Sequence, residues 1–300
     1  MQPCIKNDCL VAVLCQIVYI PGEKHVKKYL ACALMVCDHI GLYYSDRLPA
    51  EIALTLRIIG SMCLPLFAYI FVSGFFRTSS PSRYFLRLAI TASVTQGILY
   101  ILLPIADLPY DISSGCSLYI LPLSFFVLYG CELLFAIPPD MIGSLRLLEA
   151  NADTHSHRYD VRIGSGKRPL RRLVTPEMTP AFRFILGGIM IISALLIIWT
   201  VPIEYSLFGL PIIVTFYLTE KMNPKNKVTI SFLCFLITDI LYSFYVFCCT
   251  GHYPQLAGCL AVFFLCYVLP EGRKPSRIGK YAFYVFYPLH ILLLLLLRLL

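Results

Sequence analysis

Apolar residues run through the chain in stretches that approach the length of a bilayer crossing. A helix of about 20 residues spans a hydrocarbon core of roughly 30 Å, and nine runs indicate such helices. The sixth and eighth runs are short and follow closely on their neighbours. The predicted spans are residues 28–45, 52–76, 83–105, 116–137, 182–202, 204–219, 228–250, 253–270 and 278–299. The predicted fold is an all-α, polytopic integral membrane bundle of about nine transmembrane helices.

The overall composition agrees with a protein that lipid covers. Hydrophobic residues make up 58% of the chain and charged residues only 14%. A soluble domain carries about 25% charged residues, so this chain lacks the polar surface that a water-soluble globule needs. The formal net charge of +8 could indicate a nucleic-acid partner. The placement of the basic residues argues for membrane topology and against nucleic acid.

The basic residues sort into alternate connections between the predicted spans. Nearly all of the 25 Lys and Arg residues lie in the N-terminal segment and in every second connection. Because basic connections stay in the cytoplasm, the N-terminus is predicted inside and the C-terminus outside. Residues 1–27 contain only a short apolar run and are predicted to be interfacial or cytoplasmic. The chain, 1–300, is predicted to be a single membrane domain with a basic cytoplasmic loop at 138–181.

Several predicted spans contain side chains that lipid does not tolerate. An ionisable residue in the hydrocarbon region costs at least about 2.5–3.5 kcal/mol, so its presence indicates a functional site. Gln96 is a neutral companion of these residues. The ionisable residues within the spans are Asp38, His39, Arg57, Glu132, Asp239 and His290.

The predicted topology places four of these residues at a similar depth, in the outer half of the membrane. They are Asp38, His39, Arg57 and His290. Such a group can act as a buried base, an orienting carboxylate and a cation. His39 would be the base, Asp38 or Asp239 would hold its tautomer, and Arg57 would stabilise developing negative charge. The alternative is structural, with an Asp38–Arg57 ion pair and a hydrogen-bonded packing histidine between helices.

Several short motifs resemble the TraX family. The first span reads ALMVCDHIG over residues 33–41 and is similar to the family pattern LMxxDHIG. A second family pattern, RxxGRxAFPLFAF, resembles two nearby segments of this chain, LRIIG at 56–60 and LPLFAY at 64–69. Ser61 replaces the second basic residue of that pattern. Residues 74–88 are similar to EGFxxTRxxxxYxxRL. Near the end, FYVFYPLHIL at 283–292 is close to FYxFYPLHLxxL.

The resemblance implies a membrane protein of bacterial conjugation. TraX-family proteins are multispan proteins of the bacterial cytoplasmic membrane associated with conjugative pilus biogenesis, and the founding type is implicated in acetylating the N-terminal amine of pilin from acetyl-CoA. They are distantly similar to the membrane acyltransferase-3 proteins. The implied motif residues here are Asp38, His39, Arg57, Pro65 and His290.

The expected function is therefore acetyl transfer from acetyl-CoA to an amine or hydroxyl, with pilin or another cell-envelope acceptor as partner. His290, Gln96 and Asp239 are the candidate acceptor-binding residues. The basic inner connections would attract the CoA phosphates, and the candidate contacts are Arg77, Arg83 and Arg87. No metal site is expected. The alternatives are a proton-coupled transporter, with intramembrane carboxylates and histidines as a relay, and a non-catalytic assembly factor for the pilus.

Overall fold

The structure is a computed structural model that describes residues 26–108, 115–135, 178–222, 227–250 and 277–300. Over these ranges the chain is helical between its connections. The predicted span 253–270 lies outside the described residues, as do nearly all of segment 1–27 and of loop 138–181. The helices are α1 (Val26–Tyr43), α2 (Ala50–Ser61), α3 (Cys63–Arg77), α4 (Pro81–Ile105), α5 (Ile120–Leu134), α6 (Pro180–Thr200), α7 (Ser206–Met222), α8 (Lys227–Thr250) and α9 (Arg277–Leu299), with a 3-10 turn at Ser117–Tyr119.

The predicted all-helical membrane architecture is confirmed over the described residues, but the count of nine crossings is not. Each predicted span that falls there is helical. By length and composition, four of the described helical stretches can cross a bilayer: Ala50–Arg77, Pro81–Ile105, Ser117–Leu134 and Pro180–Thr200. Thr229–Tyr245 and Phe283–Leu299 are shorter apolar helices.

The second predicted span is interrupted where its sequence contains a proline. Helix α2 ends at Ser61 and α3 begins at Cys63, with Met62 between them. Pro65 has no N–H to donate to the carbonyl of Ser61, so the regular ladder of hydrogen bonds cannot pass this point. The Met62 amide instead bonds to the Ile59 carbonyl at 3.3 Å. The break leaves polar backbone groups one turn beyond Arg57.

The chain divides into two compact units. One unit comprises Met1–Ile70, Ser93–Ile112 and Asp239–Leu300, and the other comprises Phe71–Ala92 and Ser113–Thr238. Within the first unit, α1 packs against both α2 and α9, and this arrangement positions the candidate site. The second unit packs α5 against α6 and α7.

Glycines set the closest helix contacts in each unit. A Cβ on Gly60 of α2 would lie 2.4 Å from the Cα of Asp38 on α1, and a Cβ on Gly130 would lie 2.7 Å from the carbonyl oxygen of Gly187. Only the absence of a side chain lets these backbones approach so closely, as is common between membrane helices. In the first unit the approach brings Asp38 against the helix that carries Arg57.

Candidate functional site

Two buried histidines meet where α1 packs against α9. His39 Nδ1 lies 2.8 Å from His290 Nε2. The His290 Nδ1 atom lies 3.0 Å from the carbonyl oxygen of Phe286, one turn earlier on α9. Aromatic rings enclose the pair, because Tyr43 stacks on His39 and Phe286 stacks on His290. The edge of Tyr287 contacts both imidazoles.

These contacts define which ring nitrogens carry protons when both imidazoles are neutral. A carbonyl oxygen only accepts, so His290 Nδ1 must donate its proton to Phe286. His290 Nε2 is then the unprotonated nitrogen of that ring and accepts from His39 Nδ1. His39 in turn keeps a lone pair on Nε2. The chain of hydrogen bonds thus leaves His39 in the tautomer that a general base requires.

An ion pair lies on the neighbouring face of α1. Arg57 Nη1 on α2 donates to Asp38 Oδ1 at 2.8 Å, and each side chain is only about one-fifth exposed. Asp38 and His39 are adjacent on one helix, so their side chains diverge by about 100°. Asp38 therefore faces α2 while His39 faces α9, and the helix presents an ion pair and an imidazole pair side by side.

The structure brings the predicted residues together, with His290 beside His39 where a carboxylate was expected. Asp38, His39, Arg57 and His290 lie in one compact unit, in two directly bonded pairs. The sequence-based expectation was that a carboxylate holds the tautomer of His39. Among the described residues, His290 does so, and the carboxylate of Asp38 is occupied by Arg57. The physical reason is the divergence of neighbouring side chains on a helix.

A second set of contacts ties α9 to the connection after α1, and the sequence patterns did not reveal it. Arg298 donates to both carboxylate oxygens of Asp46, at 2.7 and 2.9 Å, and to the carbonyl of Tyr43. Arg47 donates to the Arg298 carbonyl at 2.9 Å, and Tyr44 donates its hydroxyl to the Leu294 carbonyl at 2.9 Å. The hydrogen bond from Arg298 lowers the pKa of Asp46 to about 2. These contacts close the end of the α1–α9 interface that carries the histidines.

The candidate acceptor residues occupy different helices. Gln96 is half-buried on α4, whereas Asp239 is buried on α8. Asp239 lies in the same compact unit as the histidines, and its Oδ2 atom has no hydrogen-bond partner in the described structure.

The candidate cofactor contacts flank the short connection between α3 and α4. Arg77 ends α3 and is exposed, and Arg83 is exposed on the first turn of α4. Arg87 is half-buried one turn later, with its guanidinium 5.7 Å from the ring of Tyr84. The three arginines thus lie on either side of one connection within the second unit.

Glu132 has partners in the second unit that sequence reasoning missed. Its carboxylate accepts from the Lys221 ammonium at 2.9 Å and from the hydroxyl of Tyr217. Lys221 also donates to the Tyr217 hydroxyl at 2.9 Å, and Phe76 stacks on the Tyr217 ring. The spacing of Tyr217 and Lys221, one turn apart where the predicted span 204–219 ends, is the only sequence signal for this cluster. Glu132 is therefore a carboxylate with two partners inside the second unit.

The comparisons with known proteins support one family. The family model described as TraX protein matches residues 23–131 and 174–298, which include both histidines, the Asp38–Arg57 pair and Asp239. No curated protein and no solved structure matches the chain. The distant similarity to acyltransferase-3 proteins has no support from these comparisons and stays a prediction.

Proposed function

The chain belongs to the TraX family, and on this premise we propose that it transfers an acetyl group from acetyl-CoA to an amine or hydroxyl at the membrane. The observation that carries the proposal is the buried His39–His290 pair, which leaves an unprotonated ring nitrogen on His39. The pilin N-terminus, or another acceptor of the cell envelope, is the proposed acceptor. The association of the family with conjugation is consistent with this choice.

The reaction begins with proton transfer to His39. In the proposed step, Nε2 of His39 takes the proton from the attacking N–H or O–H of the acceptor. The acceptor atom then forms a bond to the acetyl carbonyl carbon, and the carbonyl oxygen becomes an oxyanion. When the intermediate collapses, the C–S bond to CoA breaks and the sulfur receives the proton from His39. His290 accepts the Nδ1 hydrogen bond throughout, as the third member of a catalytic triad does.

Arg57 is proposed to stabilise the oxyanion. Its guanidinium group has five N–H donors, and the contact of Nη1 with Asp38 fixes its orientation. A fixed cation in a site that excludes water stabilises developing negative charge strongly. Asp38 is thus a positioning residue for the cation in this proposal. Arg77, Arg83 and Arg87 are proposed to contact the phosphates of CoA, because guanidinium groups match phosphate geometry.

The proposal is tested with purified protein in lipid nanodiscs, acetyl-CoA labelled in its acetyl group, and bacterial inner-membrane fraction as a source of acceptor. We expect label to enter the acceptor fraction. His39→Ala should lower the rate by about 10²–10⁴-fold, while Tyr29→Ala, which removes an exposed ring of the same helix, should not.

Three results contradict the proposal. Full transfer by the folded His39→Ala protein would remove His39 from the reaction. Substrate-dependent proton flux into liposomes without acetyl-CoA, together with no transfer, would favour a transporter. Normal pilus assembly after substitution of both histidines would favour a non-catalytic assembly factor.

A further inference from the structure

Helix α8 buries one ridge that is mostly polar. Residues spaced four apart along it are almost fully buried, whereas the described positions between them are half-buried or exposed. Such spacing places side chains on one face of a helix. The ridge consists of Ser231, Phe235, Asp239 and Ser243, each with at most 6% of its surface exposed.

The last two residues of this ridge each present a polar oxygen that no described residue satisfies. Asp239 Oδ2 and Ser243 Oγ are buried, and neither has a hydrogen-bond partner in the described structure. The two side chains are one turn apart and belong to the same compact unit as the His39–His290 pair. An unpaired buried polar group destabilises the fold, and a charged one does so more strongly. Two on one face indicate a ligand with several donors.

From this ridge we propose that Asp239 and Ser243 bind the ammonium group of an apolar primary amine. An ammonium supplies three N–H donors and a positive charge, and so matches a carboxylate and a hydroxyl together. A hydroxyl ligand has one donor and no charge, which leaves the carboxylate uncompensated. The inference rests on the proposed function for the purpose of the site. An amine acceptor held there as its ammonium gives one proton to the Asp239 carboxylate, which frees the nitrogen lone pair for attack on the acetyl group.

A metal cation fits the site less well than an ammonium. Na⁺ and similar hard cations take about six oxygen ligands, and the ridge provides two unsatisfied atoms. Among the described residues, no group of three or more His, Cys, Asp or Glu side chains could hold a metal ion. The exposed positions beside the ridge are apolar, including Ile240, Leu241 and Phe244. An amine that carries an apolar chain therefore suits this part of the membrane.

Three probes with the same alkyl chain separate the contributions of charge and hydrogen bonding. Dodecylamine has both a charge and N–H donors, dodecyltrimethylammonium has the charge alone, and dodecanol has a donor without charge. We expect the full chain in lipid nanodiscs to bind radiolabelled dodecylamine, after subtraction of empty nanodiscs. The other two probes should compete at least about tenfold more weakly, because hydrogen bonds to charged groups are the strong ones.

Substitutions assign the binding to the ridge. Asp239→Asn should weaken dodecylamine binding at least about tenfold, and Ser243→Ala about two- to fivefold. Thr238→Val is the matched control, because the Thr238 hydroxyl already donates to the Cys234 carbonyl at 2.8 Å. It should leave the affinity within twofold of the original, a margin of about 0.4 kcal/mol. Thermal unfolding of each variant establishes that the loss concerns a folded protein, and Ser243→Ala serves if Asp239→Asn does not fold.

Two outcomes overturn the inference: dodecylamine affinity that is unchanged in folded Asp239→Asn and Ser243→Ala proteins, or dodecanol binding as tightly as dodecylamine. The measurement contains no acetyl-CoA, so the two proposals fail separately. Binding through Asp239 without any acetyl transfer would remove the proposed function and keep the amine site. Unchanged dodecylamine affinity in these variants, together with acetyl transfer that depends on His39, would remove the amine site and keep the proposed function.

Discussion

Replacing His290 tests whether the two histidines act as one unit. His290→Phe keeps an aromatic ring in the position but removes the acceptor for the Nδ1 proton of His39. A buried donor without a partner costs about 1–3 kcal/mol. His39 would then be free to adopt the other tautomer, which lacks a lone pair on Nε2. Since 1.4 kcal/mol corresponds to a tenfold change, we expect the rate of acetyl transfer to fall by about 5- to 150-fold. His290→Gln offers a side-chain carbonyl in place of Nε2 and should recover part of the rate.

The assay is the initial rate of labelled acetyl transfer per mole of folded protein in nanodiscs. Tyr281→Ala, which removes an exposed ring of α9, is the control for changes to that helix. The decisive comparison is the double variant of His39→Ala and His290→Phe. If the pair is one unit, the double variant is no slower than His39→Ala alone. Effects that multiply, or a His290→Gln rate no better than His290→Phe, would refute the hydrogen-bonded relay.

Three further substitutions probe the scaffold of the site. Gly60→Ala places a Cβ 2.4 Å from the Asp38 backbone. We expect it to lower the free energy of unfolding by about 1–3 kcal/mol, and with it the melting temperature and the activity. An unchanged melting temperature would contradict the close contact. Asp46→Asn should lower the melting temperature at pH 7. The hydrogen bond from Arg298 lowers the pKa of Asp46 to about 2. This carboxylate therefore contributes stability above about pH 4, and the contribution is lost as the pH falls towards about 2. The melting temperatures of Asp46→Asn and of the original protein should converge over that range. Glu132→Gln should lower stability by about 1–3 kcal/mol and leave the rate per folded molecule unchanged, and a selective loss of activity would show a functional role for that cluster.

The hydrophobic pattern alone determined the class of structure. Spanning runs and a low charged fraction predict a helical membrane protein, because lipid leaves the backbone few alternatives to the helix. Each predicted span that falls on described residues is helical, and the TraX motifs are matched by the family model over most of the chain. The number of crossings, the orientation of the ends and the single-domain prediction stay predictions.

Pattern reasoning also selected Asp38, His39, Arg57 and His290, since ionisable residues are rare in lipid. It could not determine their partners. His39 and His290 are separated by 251 positions, and no local periodicity tells which faces of α1 and α9 meet. Only tertiary packing decided that Asp38 turns towards Arg57 and that His290, rather than a carboxylate, holds the tautomer of His39.

Local periodicity also could not predict the Arg298–Asp46 contact or the partners of Glu132, because these contacts join segments that are far apart in the sequence. It also applies to Asp239. Its residue type already indicated a function, but only the structure shows that its Oδ2 atom has no hydrogen-bond partner among the described residues. Hydropathy is a property of each segment and can be read along the chain. Hydrogen-bond partners depend on how helices rotate and cross, and that depends on close contacts such as Gly60 against Asp38.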